Sequence, residues 1–157
     1  MDTLVAFRVP AWSGSPRASL VAHPKLYLFD VGVRNALLRR PLDRALADER
    51  GLLLEHLVAC ELYRRQGTLW PELELFYFRT KDGLEVDFLA RAGRELWAIE
   101  VKSARSITPA MIGGLKRVHQ HVRGIRRSIL VFLGDRAQRI DEVEVLPLGE
   151  FLAQLPN

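Results

Sequence analysis

The chain has 157 residues, 48% hydrophobic and 27% charged, with a formal net charge of +4. That length suits one domain, or one domain with an arm, and allows roughly two-thirds of the unfolded surface to be buried. No apolar run approaches the ~20 residues that span a bilayer, MDTLVAFRVP lacks the basic and apolar regions of a signal peptide, and the single cysteine, Cys60, excludes an internal disulfide or a cysteine-based zinc knuckle. A reducing cytoplasm is the expected compartment.

In chain order, residues 4–9 read as a short strand, and PAWSGSPRAS over 10–19 as a Pro-, Ser- and Gly-rich loop. Residues 1–22 are expected to form an N-terminal arm and 23–157 the folded domain. KLYLFD at 25–30 predicts a short strand or extended entry. VGVRNALLRR at 31–40 has a helical pattern that Pro41 stops. The strongest helix covers 48–66, built of good helix formers and closed by Gly67. Strands follow over 73–80, 84–90 and 95–103, the last two joined at Ala92-Gly93. Thr108 is expected to cap a helix from Pro109 to about Val122. SILVFL at 128–133 reads as a buried strand, 142–146 as another, and 149–155 as a short closing helix.

The stretch EVDFLARAGRELWAIEVKSA places two carboxylates and a lysine within an otherwise buriable hairpin. With Ala92-Gly93 as a two-residue turn, Phe88 opposes Trp97, Val86 opposes Ile99 and Asp87 opposes Ala98. Alternation then gathers Asp87, Ala98, Glu100 and Lys102 on one face, and Val86, Phe88, Trp97, Ile99 and Val101 on the other. Asp87 and Glu100 become diagonal neighbours. Two carboxylates so placed suit one hard divalent cation, Mg²⁺ or Mn²⁺, and a lysine beside them can hold a water or offset charge on a phosphate. The plain alternative is a solvated face carrying ordinary ion pairs.

Glu55 adds to the cluster. It lies in LLLEHLVACEL, with Val58, Ala59 and Leu62 at helical spacings of three, four and seven. A carboxylate on such a stripe needs a cation, a lysine or a metal, all of which the hairpin face offers; the plain alternative is an interior Glu55–Lys102 salt bridge. His119 and His121 are two apart and diverge on a helix. His56 points about 100° away from Glu55, and Cys60, Phe88 and Trp97 read as core. Lysine occurs only at 25, 81, 102 and 116, so the other basic residues are arginines. Arginine suits phosphate, though a coding bias explains the excess equally well. Arg79, Lys81 and Arg105 flank the hairpin, either near a phosphate or as solvated strand ends.

Glu on the first long helix, Asp on the second strand and Glu-x-Lys on the third resemble the PD-(D/E)xK nuclease superfamily. The matching residues are Glu55, Asp87, Glu100, Val101 and Lys102, with Val86 in place of the usual proline and Gln120 a weak candidate for a further polar residue. HPKLYLFDVGVRNALL, LLLEHLVACEL, LELFYFRTKDGLEVDFLA and AIEVKSA, in order over 23–150, are similar to a C-terminal domain of unknown function that follows the ATP-binding module of prokaryotic AAA-type ATPases. The resemblance implies an α/β, restriction-endonuclease-like core: helix, three-stranded antiparallel meander, helix and further strand, in a mixed sheet flanked by helices. It implies a divalent-metal-dependent DNA nuclease, with branched DNA among the expected substrates. Asp87, Glu100 and the Val101 carbonyl would bind Mg²⁺ or Mn²⁺, Lys102 would orient water, and Glu55 would support the metal. Two other readings are a catalytically inactive module that binds DNA or an ATPase partner, and a purely structural salt-bridge network.

Overall fold

The computed structural model describes residues 5–13, 23–41, 46 and 48–156. The part of the expected arm over 14–22 lies outside them. A six-stranded mixed sheet forms the centre, in the spatial order β3-β4-β5-β6-β8-β7. Its strands are β3 (Leu73–Arg79), β4 (Glu85–Ala92), β5 (Glu95–Lys102), β6 (Arg127–Phe132), β7 (Gln138–Ile140) and β8 (Val143–Pro147). The first three make the expected antiparallel meander, β5 and β6 pair in parallel, β8 continues in parallel, and β7 returns antiparallel at the edge. This is the mixed α/β sheet flanked by helices that the sequence implies. The three-residue β7 was not foreseen, because QRI has no alternating apolar pattern to reveal it.

Two apolar clusters fill the two sides of the sheet. One lies under α2 (Arg50–Arg65), whose Leu54, Val58 and Leu62 form a buried stripe at four-residue spacing against Phe88, Ile99 and Val131. The final helix, α4 (Leu148–Ala153), adds Phe151 to the same cluster. The other cluster packs Ile112, Leu115 and Val118 against Leu89, Ala98 and Leu130. Covering both faces explains why IEV and SILVF read as near-continuous apolar runs.

A two-stranded ribbon, β1 (Ala6–Val9) with β2 (Lys25–Leu28), stands before the first helix. Phe7 and Val9 are fully buried in the α2-side cluster. Residues 10–12 run along β3, with Tyr77 N–H donating to Pro10 O and Trp12 N–H to Tyr77 O. The first helix, α1 (Val31–Leu37), is capped by the Asp30 side chain on Val33 N–H and ends before Pro41.

Three sequence expectations are corrected. The helix expected over 109–122 is a 3-10 turn, Pro109–Ile112, followed by a six-residue α3 (Gly113–Val118). Gly113-Gly114 in its middle weakens helix propagation, and the Thr108 side chain makes no capping bond. The hairpin register pairs Phe88 with Ile99 and Ala92 with Glu95, so Phe88 does not face Trp97. The turn residues are Gly93-Arg94, because the first of them carries φ +58°, a conformation glycine takes freely and alanine does not. The displacement is two residues, an even number, so Phe88, Trp97, Ile99 and Val101 keep their common face.

Val86 does not join them. Phe76 pairs with Leu89 but Phe78 pairs with Val86, so Asp87 and Phe88 together oppose Tyr77. This bulge sends Val86 into the α3-side cluster while Phe88 stays on the α2 side.

Candidate active site

The bulge in β4 sits beside the carboxyl-terminal end of β5, and Asp87 occupies it. Regular pairing of β4 with β5 ends at Phe88–Ile99. Beyond that pair, the Asp87 side chain bridges the strands instead, with Oδ2 accepting the Val101 N–H at 2.8 Å. Glu100 is buried, and its Oε1 accepts a hydrogen bond from Lys102 Nζ at 2.5 Å. Its other oxygen, Oε2, is buried with no hydrogen-bond partner.

The helix and the ribbon close the site from the other side. Glu55 lies one turn into α2, between the buried Leu54 and His56. Its Oε1 accepts from Lys25 Nζ at 3.0 Å and from the Tyr27 hydroxyl at 2.5 Å. Lys25 also reaches Glu85 Oε1 at 2.9 Å. Glu55 therefore pairs with Lys25 rather than with Lys102, although it lies within electrostatic range of both Lys102 and Asp87.

The electrostatics follow from this crowding. Burial, then Glu100 and Glu55, push the Asp87 carboxyl up to about 8. Burial raises Glu100 as well, against the pull of Lys102. Burial works against the charged form of Lys102, but Glu100, Asp87 and Glu55 outweigh it and raise its pKa. Burial opposes Lys25 in the same way, and Glu55 and Glu85 likewise outweigh it. With all six groups ionised, four carboxylates face two ammonium groups, an excess of negative charge that suits a divalent cation. Oxygen donors and an undonated buried carboxylate oxygen fit Mg²⁺ or Mn²⁺. Among the described residues no group of three or more His, Cys, Asp or Glu side chains stands ready to hold a metal.

The structure thus brings Asp87, Glu100, Lys102 and Glu55 into one neighbourhood. Sequence reasoning missed Lys25, Tyr27 and Glu85. Lys25 and Tyr27 are two apart, so a strand presents them on one side, and Glu85 stands two residues before Asp87; alternation was the available signal. Gln120 is exposed in the turn that follows α3. Lys81 is exposed, and Arg79 lies 3.8 Å from Glu85. His56 is buried and bonds Leu28 O through Nε2 at 2.6 Å, while Cys60 packs in the core with Sγ on the same carbonyl. His119 meets Ser128 Oγ at 2.8 Å.

A cavity of about 620 Å³ lies at the carboxyl ends of β5 and β6, lined by Leu54 and Ser103, the chain neighbours of Glu55 and Lys102. Leu54, Leu57 and Leu133 line its apolar side, and Arg50, Ser103 and Arg105 its polar side. Open α/β sheets commonly place ligands at this end of their parallel strands.

No curated protein matches the chain. A solved structure described as a refined half-complex from the tetradecameric assembly of Thermococcus gammatolerans McrB AAA+ hexamers with bound McrC is similar at a TM-score of 0.41 and 13% identity. The similarity covers 62% of this chain and 28% of that one, so this chain spans well under two-thirds of that chain's length. A family model matches residues 50–151, which contain Glu55, Asp87, Glu100 and Lys102 but not Lys25 or Tyr27, and the chain belongs to that family, the Domain of unknown function (DUF4143).

Proposed function

We propose that this chain is a PD-(D/E)xK-type, divalent-metal-dependent nuclease domain that hydrolyses phosphodiester bonds in DNA. One observation carries the reading. At a strand bulge, Asp87 lies close to Glu100 and Lys102, and Glu100 keeps a buried oxygen with no donor. An acceptor without a donor is costly in a protein interior, and a cation relieves that cost.

Asp87, Glu100 and the Val101 main-chain carbonyl would hold Mg²⁺ or Mn²⁺, with Glu55 supporting it from the helix. The bound ion supplies a water of lowered pKa and neutralises charge on the phosphate. Lys102 Nζ, already beside Glu100, orients the attacking water and offsets the charge that grows on the phosphate oxygens as the P–O bond breaks. Asp87 Oδ2 accepts the Val101 N–H, which ties the two strands together where the Val101 carbonyl would serve as a ligand. The cavity lined by Ser103, the residue after Lys102, would give the substrate room, and its Arg50 and Arg105 would meet phosphates.

The second reading is an inactive nuclease fold that binds DNA or an ATPase partner. It draws on the close Lys102–Glu100 pair and on the lack of a ready three-ligand cluster among the described residues. The test is purified protein with plasmid and branched DNA in Mg²⁺, Mn²⁺ or EDTA. Active protein cuts with metal only, and Asp87→Asn abolishes cutting. Cutting that survives both EDTA and Asp87→Asn refutes the assignment, and binding without cutting under any metal selects the second reading.

A further inference from the structure

Lys25 stands outside the matched family segment and outside the Glu, Asp, Glu-x-Lys pattern, yet it sits among the candidate ligands. Its Nζ lies 3.0 Å from Glu55 Oε1 and 2.9 Å from Glu85 Oε1, and Asp87 is within electrostatic range. The ammonium lies 5.5 Å over the Tyr77 ring, with Tyr27 donating to the same Glu55 oxygen. The lysine side chain is only about 25% exposed. A strand of the ribbon therefore delivers a fixed cation between two carboxylates that come from different elements, α2 and β4.

We propose that Lys25 is a positioning residue of this site: an internal cation that fixes Glu55 beside the Asp87–Glu100 pair, occupies Glu85 and limits the site to one divalent ion. This rests on the metal-site reading above. Two carboxylates shared with an ammonium are unavailable to a second metal ion, and a fixed positive charge repels any ion that approaches them. The first ion then depends on Asp87 and Glu100, and Glu55 stays oriented by Lys25 and Tyr27.

The experiment is titration calorimetry with Mn²⁺ alone on wild type, Lys25→Gln and Lys25→Arg, without DNA. Glutamine keeps a hydrogen-bond donor and loses the charge; arginine keeps the charge. A unit charge this close to a divalent ion changes its affinity by about tenfold. Lys25→Gln is expected to bind Mn²⁺ about tenfold tighter or to take up a second ion, and Lys25→Arg to restore the wild-type isotherm. A Lys25 with only a structural role would lower the melting temperature and leave affinity and stoichiometry unchanged in Lys25→Gln, which overturns the proposal. Circular dichroism confirms folding; if the glutamine variant does not fold, Lys25→Met removes the same charge with both carboxylates kept, and an unchanged isotherm there overturns the proposal equally. Mn²⁺ binding to wild type and Lys25→Gln with equal affinity and equal stoichiometry sinks this inference alone. No binding by any of the proteins sinks the metal-site reading with it.

Discussion

Asp87 combines a deep position with two nearby carboxylates, and that sets how the metal-free protein responds to pH. Its carboxyl rises from 3.8 to about 8, through burial first and then Glu100 and Glu55. A raised acid pKa means that the fold favours the neutral form. Its stabilising contribution is full below the unfolded value and is lost as pH climbs through the folded one. The melting temperature in EDTA is therefore expected to fall between about pH 4 and pH 8, and Asp87→Asn to flatten that fall. At pH 8 the Asn variant should equal or exceed wild type without metal, because it removes a buried repulsion. Mn²⁺ should raise the wild-type melting temperature and leave the variant's unchanged. In a plain salt-bridge network the variant would instead lose about 3–5 kcal/mol, from breaking a buried pair. A wild type indifferent to Mn²⁺, with an Asn variant that melts far lower, would leave only that network.

Among the elements, the exits of β5 and β6 meet at Gly134. A Cβ there would stand 2.1 Å from the Phe132 ring and 2.6 Å from the Arg105 carbonyl oxygen. Leu133 N–H donates to Ala104 O at 3.0 Å, which ties the two exits together just beyond Lys102. The obstruction includes backbone and a buried ring, so it cannot be relieved by one flexible side chain. Gly134→Ala is expected to cost about 1–3 kcal/mol by overpacking, toward the upper end, measured as a shift of the urea midpoint at constant slope. A loss under about 0.5 kcal/mol would mean that the exits separate easily, within the range of an ordinary surface substitution.

For the whole molecule, the described face that matters is the carboxyl edge of the parallel strands. There the cavity is bordered by Arg50, Ser103 and Arg105. No helix among the described residues is long and apolar enough to cross a membrane. With a net charge of only +4, the overall field is weak, and the proposed DNA binding would depend on local arginines. Binding to a DNA duplex is expected to be weak and to fall steeply with salt, as neutralised phosphates release their counterions. A fluorescence titration at several salt concentrations checks this. An affinity that does not change with salt would point to a protein partner instead.

Local pattern was enough to locate α2, the meander and the buried β6, and to put Asp87, Glu100 and Lys102 on one hairpin, because periodicity and turn residues act over a few positions. Parity survived a two-residue error in hairpin register for the same reason: a shift by an even number leaves each side chain on its face. Local pattern did not reveal the β4 bulge, since one extra residue opposite Tyr77 is a property of paired strands, not of either strand alone. Nor did it reveal the partner of Glu55. A carboxylate on an apolar stripe signalled that a cation was needed, but the nearest lysine along the motif was Lys102. The docking of the ribbon against α2 chose Lys25, thirty residues away in the chain. Which side chains are apolar is written along the chain; which charges meet depends on how the elements pack, and only the folded molecule decides it.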